Sequence, residues 1–424
     1  MTERLQKNVS LSHGVGLAIS TLIGSGLLGL PGLAIQQAGP HGALAGWALS
    51  LLLSVPLMLL FLRLTRQVQD AGGLARHAGL AFGPGFGSAA TLLIACTFAV
   101  GIPSGTAMGA HYLQEIFQLP PWTVLPITLG LLAVSTAVNI AGARPSGVVN
   151  HLAVVSLVLL IVAFVALNLS ATARGVQALG EVAGGEVTVT LPVLWSVSAL
   201  LFWAFLGWEN LSFGSEEYQD RPGFLTTVFW LGFIVVGLLY AALALVSTGA
   251  ALAGRPLGGV TGLLRLVDDQ PVRPVLVALI VVVVVANVNA WVFAASRLYF
   301  ASGRNGDLAA YLGRLDPRGV PVASLLTLFS VCSLLAVLIT TDVLPLVTAL
   351  TVANQNFILL YVGAIAAFIA VDRSPSGRVI AAAAALSCAF LLAGFGTWLL
   401  LPLGIGAIGY AKHRLKRPGR VARA

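Results

Sequence analysis

Apolar residues run along this chain in blocks of about 20, separated by short polar segments. A block of this length matches an α-helix that crosses the hydrocarbon core of a bilayer. The pattern predicts ten spans, at 14–38, 42–64, 88–117, 122–141, 147–169, 191–214, 224–253, 274–300, 321–341 and 343–371.

A further apolar stretch, 378–411, is interrupted by Gly394, Gly396 and Pro402. It is too long for one span and short for two, since a span needs about 20 residues. We predict two short helices here, which gives about twelve in all, with eleven as the alternative.

Composition places the whole chain in the membrane. Of its 424 residues, 58% are hydrophobic and 9% are charged, whereas a soluble domain carries about 25% charged residues. We therefore predict an all-α integral membrane protein with a single transmembrane domain over 1–424. The three cysteines, Cys96, Cys332 and Cys388, are scattered through apolar segments and offer neither a disulfide framework nor metal-ligand spacing.

The basic residues predict the orientation. With twelve helices and the N-terminus inside, they cluster in the inner segments and in the tail from Lys412 onward. The exceptions are Arg174, Arg255, Arg265 and Arg273. Both termini are therefore expected on the cytoplasmic side, and the basic tail fits an anchor on anionic lipid better than a nucleic-acid site.

Two inner loops carry features of their own. Small and apolar residues in 65–87 predict a short re-entrant or interfacial helix against the bundle. The loop 300–320 is charged and tight, and its ion pairs either lock the inner face or belong to a solvated loop. The sequence leaves both readings of that second loop open.

The first span contains a Gly-Ser-Gly run, Gly24-Ser25-Gly26, at its middle. Lipid cannot satisfy unpaired backbone groups, so this run predicts a helix that opens where protein, water or ligand can pair with them. The N–H groups of an opened half-helix suit a carboxylate. A packing notch for a neighbouring helix is the plainer alternative.

The sixth span is interrupted in the same way. It reads Leu201 to Asn210 with a dense aromatic cluster, Gly207 at mid-depth and the carboxylate of Glu209. A charge at that depth marks a functional candidate by default. Glu209 is either a coupling group or a structural residue that hydrogen-bonds to the loosened backbone of the first span. The aromatic cluster is either a gate or ordinary core packing.

The two interruptions lie five helices apart. Matching interruptions in two halves indicate a transporter site between repeats, and an odd-numbered repeat must be inverted in the membrane. We therefore predict an inverted repeat of five plus five helices. Repeat 1 covers 14–169, repeat 2 covers 191–371, and 378–411 is appended.

At these residues the chain resembles the amino acid–polyamine–organocation superfamily, which has the LeuT-type fold with discontinuous helices 1 and 6. The resemblance lies in Ile23-Gly24-Ser25-Gly26 with Pro31, Gly72-Gly73, Trp203 to Glu209, and Ala295-Ser296-Arg297-Leu298-Tyr299 with Gly319-Val320-Pro321. Within it, Val100-Gly101-Ile102-Pro103, Phe202-Trp203 and the short last helices look most like bacterial exporters of L-methionine and branched-chain amino acids.

The resemblance implies a substrate site. It places the substrate carboxylate at Ser25 and the N–H groups around Ile23, Gly24 and Gly26. It places the α-amino group at carbonyls of Leu22, Trp203 and Leu206, beside Phe205 and Gly207. Trp203 then closes over the substrate, and Trp291 lines the route.

Side-chain specificity must come from other residues. The third helix offers Thr97, Gly101, Pro103 and Ser104, and the eighth offers Asn287 and Asn289. Because Glu209 is the one buried charge that the sequence indicates, we expect a neutral, mainly apolar amino acid, such as methionine, leucine, isoleucine or valine.

Energy coupling is less defined by sequence. No lysine lies in a predicted span. Some relatives have a lysine in the fifth helix, where sodium-coupled relatives bind sodium, and the resemblance matches that position to Ser156. A sodium site near Ser156 is therefore not excluded by the sequence. The protonatable candidates are Glu209, His151, His111 and Glu115. We expect proton antiport without any cofactor or metal.

Two other functions were weighed. An uptake permease or exchanger would use the same site, because sequence does not fix the direction of flux. An enzyme needs convergent catalytic or metal-binding side chains, and none are evident. We expect a transporter in the bacterial cytoplasmic membrane that binds an amino acid and no nucleic acid, and the sequence leaves a homodimer open.

Overall fold

A computed structural model describes residues 11–22, 26–67, 73–209, 211, 222–268, 270–395 and 399–415. This part of the chain is helical, with no strand in it. The helices are Leu11–Leu22 (α1), Gly26–Gln67 (α2), Gly73–Phe82 (α3), Pro84–Ile116 (α4), Val124–Ala141 (α5), Ala143–Leu167 (α6), Leu169–Ala183 (α7), Leu191–Leu201 (α8), Phe224–Leu252 (α9), Arg273–Arg304 (α10), Val322–Thr340 (α11), Leu346–Val371 (α12), Pro375–Ala393 (α13) and Leu400–Leu415 (α14).

The fold is that of a multi-span membrane protein. Within the described residues, 8 helices are long and apolar enough to cross a bilayer, or up to 9 if the bent pair α6–α7 is one span. The helices α1 and α8 are too short to cross alone, at 12 and 11 residues. The total of twelve and the inverted repeat therefore stay predictions.

Helix α2 contains a sharp kink that separates the first two predicted spans. Gly39 has φ 67° and ψ 174°, a conformation that glycine adopts at little cost, and Pro40 follows it. The sequence placed the boundary between residues 38 and 42, which is where this kink lies. The segment 378–411 forms two helices, α13 and α14.

Helix α7 was not expected, because the sequence left its segment as a loop. The chain bends by 88° between α6 and α7 at Asn168. The Asn168 amide donates to the carbonyls of Phe164 (2.9 Å), at the end of α6, and Leu266 (3.1 Å), in the distant 3₁₀ turn Gly262–Leu266. The corner is thus held by specific hydrogen bonds.

Small residues let α7 pack against α9. Its buried residues are Ala171, Gly175 and Ala178. A Cβ built on Gly175 would lie 2.0 Å from the carbonyl oxygen of Leu245, and one on Gly249 would lie 1.7 Å from that of Ala171. Only glycine allows this approach of two helices.

The predicted short helix within 65–87 is α3, which packs on α4 and α12. In the loop 300–320, the described ion pair is local. Arg318 Nε lies 3.0 Å from Asp316 Oδ2, in the same loop. The pKa of the Asp316 carboxyl lies below its usual value, mainly because the Val320 N–H donates to it and also because Arg318 is close. Since this pair joins two residues of one loop, it does not itself tie two helices together.

Candidate functional site

Helix α8 breaks inside the bundle. It ends at Leu201, continues as the 3₁₀ turn Phe202–Phe205, and becomes extended at Leu206 (φ −82°, ψ 150°). Gly207 follows with φ 125°, which favours glycine. Residues 202–209 are all buried. A helix end buried in this way leaves backbone groups that need partners other than the next turn.

Side chains from other elements supply some of those partners. The Asn354 amide, on α12, donates to the carbonyl of Ala199, in the last turns of α8. The Gly207 N–H donates to Glu209 Oε2 at 3.2 Å. The break is therefore stabilised by long-range and local hydrogen bonds together.

Glu209 is 1% exposed. Besides the Gly207 N–H, its Oε2 accepts the hydroxyl of Tyr361 on α12. The Tyr361 ring packs edge-on to Phe61 of α2, with ring centroids 4.8 Å apart. The carboxyl group thus connects the broken α8 segment to α12 through a buried hydrogen bond.

The Trp203 side of the break faces a small cavity of about 10 Å³. Trp203 and Trp291, from α10, stack at 5.7 Å with their planes at 10°. A Cβ on Gly101 of α4 would lie 2.8 Å from Cη2 of Trp203, so the indole lies directly against that glycine. The lining residues, none of them charged, are Gly101, Ile102, Gly105, Thr106, Trp203, Asn287, Val288 and Trp291.

The first interruption is described only at its edges. Helix α1 ends at Leu22 and α2 begins at Gly26, while the predicted site residues Ile23, Gly24 and Ser25 lie outside the described residues. The hydroxyl of Tyr240, on α9, donates to the Leu22 carbonyl at 3.0 Å. A carbonyl has two acceptor positions, so it can accept from a second donor as well.

Tyr112, on α4, donates in the same way to the carbonyl of Leu28 at 2.7 Å. Both tyrosines are fully buried. Sequence reasoning missed Tyr112, Tyr240 and Tyr361, and the one available signal was a tyrosine inside an apolar span, where its hydroxyl needs a partner.

The remaining predicted residues lie elsewhere. Phe205 packs against Tyr240 (5.2 Å between centroids) and Trp47 (6.1 Å), and it is not among the cavity-lining residues. Thr97 is buried and donates to the Leu93 carbonyl on its own helix. Ser156 is buried on α6, and the side chain of His151 on the same helix is outside the described part.

The polar candidates near the C-terminal end of α4 form a separate group. Glu115 Oε1 pairs with Arg265 at 2.6 Å, and Arg265 also pairs with Asp268 at 3.2 Å. In the described residues, no three His, Cys, Asp or Glu side chains are arranged to hold a metal ion. These groups therefore lie apart from the cavity, which no charged residue lines.

A bundle of membrane-spanning helices with one helix broken beside an uncharged internal cavity is the architecture of a membrane transporter. Comparison with known proteins gives the family. A model of the amino acid permease family matches residues 10–410, so the chain belongs to this family of transporters.

Several known sequences are similar to the chain over most of their length. The chain is 26% identical to the uncharacterized amino acid permease YecA of Bacillus subtilis, over 98% of this chain and 97% of that protein. It is 24% identical to the L-methionine/branched-chain amino acid exporter YjeH of Escherichia coli, over 94% and 97%. It is 24% identical to the branched-chain amino acid permease BcaP of Lactococcus lactis, over 74% and 72%.

Proposed function

We propose that the protein is a secondary active transporter of neutral, mainly apolar amino acids, with methionine, leucine, isoleucine and valine as candidates. The observation that carries the proposal is the cavity beside the break, which has two stacked tryptophans and no charged lining residue. An apolar side chain gains from burial in such a cavity, whereas a charged one would lose its hydration without a partner. The substrates for which YjeH and BcaP are named, methionine and branched-chain amino acids, support the same substrate class.

The backbone at the two interruptions is the proposed binding site for the charged ends of the substrate. The start of α2 at Gly26 offers N–H groups and the positive end of a helix dipole to the carboxylate, with Gly24 and Ser25 just before it. Carbonyls of Leu22, Trp203 and Leu206 are proposed to accept from the α-amino group. The extended backbone at Leu206 supports this assignment.

Glu209 is the proposed proton carrier for antiport, since it is a carboxyl group buried at the break and bonded to a second helix. Export by alternating access then follows from an inward proton gradient. Sodium coupling near Ser156, a role for His151, and uptake or exchange instead of export are the alternatives.

The remaining proposals concern architecture. Repeats 14–169 and 191–371 would be inverted relative to each other, with α13 and α14 appended. The protein would lie in the bacterial cytoplasmic membrane with both termini inside. Cross-linking in the membrane tests whether it forms a homodimer.

Two substitutions test the site in liposomes by counterflow of radiolabelled methionine. Trp203→Ala removes one wall of the cavity, and Ser25→Trp fills the proposed carboxylate end, so both are expected to reduce counterflow strongly. Trp122→Ala is the matched control, because Trp122 is 73% exposed. Normal methionine counterflow by both site variants would refute the site.

A further inference from the structure

Asn287 lies on α10, one turn before Trp291, and lines the cavity. It is 7% exposed, and its Nδ2 has no hydrogen-bond partner within the described part of the protein. Thr106, another polar residue of the lining, already donates to the Ile102 carbonyl at 2.7 Å. Asn287 therefore brings an unused hydrogen-bond donor to a cavity that no charged residue lines.

A neighbouring asparagine on the same helix shows the contrast. Asn289 Oδ1 accepts from Asn139 Nδ2 of α5 at 2.9 Å, so a buried amide two residues along is bound to a second helix. The Asn287 amide makes no comparable hydrogen bond to a second helix within the described residues, so helix packing does not account for it. A buried donor left unpaired costs free energy, and a ligand that supplies an acceptor recovers that cost.

We propose that the Asn287 amide reads the substrate side chain by donating to an acceptor at its end, so that the site favours methionine over a hydrocarbon side chain of the same shape. This inference rests on the proposed function and on the cavity as the side-chain pocket. The acceptor chemistry that fits is a neutral one, a thioether sulfur or a carboxamide oxygen. A site built to hydrogen-bond its substrate discriminates against an analogue that lacks the bonding atom.

Norleucine provides the test, because it replaces the methionine sulfur by a methylene group and keeps the length of the chain. Burial in an apolar cavity alone favours norleucine, which is the more hydrophobic of the two. The Asn287 bond works in the opposite direction. The sign of the preference therefore separates the two accounts.

The measurement is the inhibition of methionine counterflow by unlabelled methionine and norleucine in liposomes. In the wild type, methionine is expected to be bound about three- to tenfold more tightly than norleucine. In Asn287→Leu, which keeps the volume and removes the amide, the preference is expected to disappear or reverse. The ratio is taken within one variant, so a lower amount of folded protein does not change it.

Thr106→Val is the matched variant, since Thr106 lines the same cavity and its hydroxyl is already bonded to its own helix. It is expected to retain the methionine preference. Equal inhibition by both ligands in the wild type, or an unchanged preference in Asn287→Leu, would overturn the inference and leave the proposed function standing. If no neutral amino acid exchanges at all, both the inference and the proposed function are wrong.

Discussion

The two sides of the α8 break differ in chemistry although Trp203 and Glu209 are only six residues apart. On the Trp203 side lie stacked aromatic rings, one amide and one hydroxyl, with no charged residue in the lining. On the Glu209 side lies a carboxyl group bonded to the Tyr361 hydroxyl and the Gly207 N–H. The carboxyl group therefore lies outside the lining of the cavity and has hydrogen-bond partners of its own.

This separation indicates a division of roles. A carboxylate inside the cavity would attract a cationic side chain and would repel the carboxylate of the substrate. Placed behind the break, it is held by hydrogen bonds that lower the cost of burying it. In the proposed function, the cavity side selects the substrate, while the Glu209 side connects proton binding to the contact between α8 and α12.

The largest expected effect is that of Glu209→Gln. Glutamine keeps the shape and an acceptor for the Tyr361 hydroxyl but cannot exchange a proton, so methionine transport driven by a pH gradient should fall to the leak rate. Counterflow, which needs no net proton movement in this account, should continue. Both are measured in liposomes with and without the imposed gradient.

Glu186→Gln is the control for that change, because Glu186 is an exposed carboxylate and undergoes the same substitution. Its gradient-driven transport should equal that of the wild type. If Glu209→Gln retains full gradient-driven transport, Glu209 is not the proton carrier, and the proposed role of the Glu209 side of the break is wrong.

Gly101→Ala is expected to have the next largest effect, and it acts on the cavity side alone. The added Cβ would lie 2.8 Å from Cη2 of Trp203, so the indole must move. Displacing the indole from the cavity wall is expected to weaken methionine binding about tenfold, which corresponds to about 1.4 kcal/mol. Inhibition of counterflow by unlabelled methionine measures the affinity, and the response to a pH gradient should persist.

Gly130→Ala is the matched control on α5, since nothing lies within 4 Å of a Cβ placed there. It should leave the affinity unchanged. Equal effects of the two glycine substitutions would show that helix backbone, and not contact with Trp203, accounts for the loss.

The smallest expected effect comes from a charge outside both regions. Asp372, at the end of α12, accepts from the Ser374 hydroxyl at 2.6 Å and pairs with Arg63 of α2 at 3.1 Å. The pKa of the Asp372 carboxyl lies below its usual value, mainly because of the hydrogen bond from the Ser374 hydroxyl and to a smaller extent because of Arg63. Asp372→Asn should therefore lower stability without changing substrate selection or proton coupling.

The sign of the pH dependence follows from the lowered pKa. The ionised form is favoured in the folded protein, so its contribution is present above the unfolded pKa of about 4 and is lost as pH falls through the folded pKa. Thermal unfolding in detergent should show a destabilisation of about 0.5–1 kcal/mol at pH 7 that shrinks near pH 3. If Asp372→Asn lost as much gradient-driven transport as Glu209→Gln, proton coupling would not be specific to Glu209.

The sequence allowed the break and much of the cavity to be predicted because those features depend on local chemistry. Glycine within an apolar run predicts an opened helix, and Gly207 lies at the observed break. The resemblance to a transporter superfamily placed Trp203 and Trp291 near the substrate, and the two rings stack in the structure. Phe205 was grouped with them, yet it packs on Tyr240, because one turn of helix directs neighbouring side chains to different faces.

Partners from distant segments could not be predicted in the same way. Tyr361 lies 152 residues from Glu209, and Tyr240 lies 218 residues from Leu22. Periodicity shows that a side chain is buried and does not show which helix meets it. Helix α7 was missed because its segment lies between two apolar blocks and contains Arg174 and Glu181, while its buried side is formed by small residues.

The measurement that tests the central claim most directly is a counterflow screen of all the proteinogenic amino acids with the purified protein in liposomes. The account predicts rapid exchange of methionine, leucine, isoleucine and valine, and exchange of arginine and glutamate close to the leak rate. Exchange of arginine or glutamate far faster than that of leucine or methionine would contradict a cavity that selects neutral side chains.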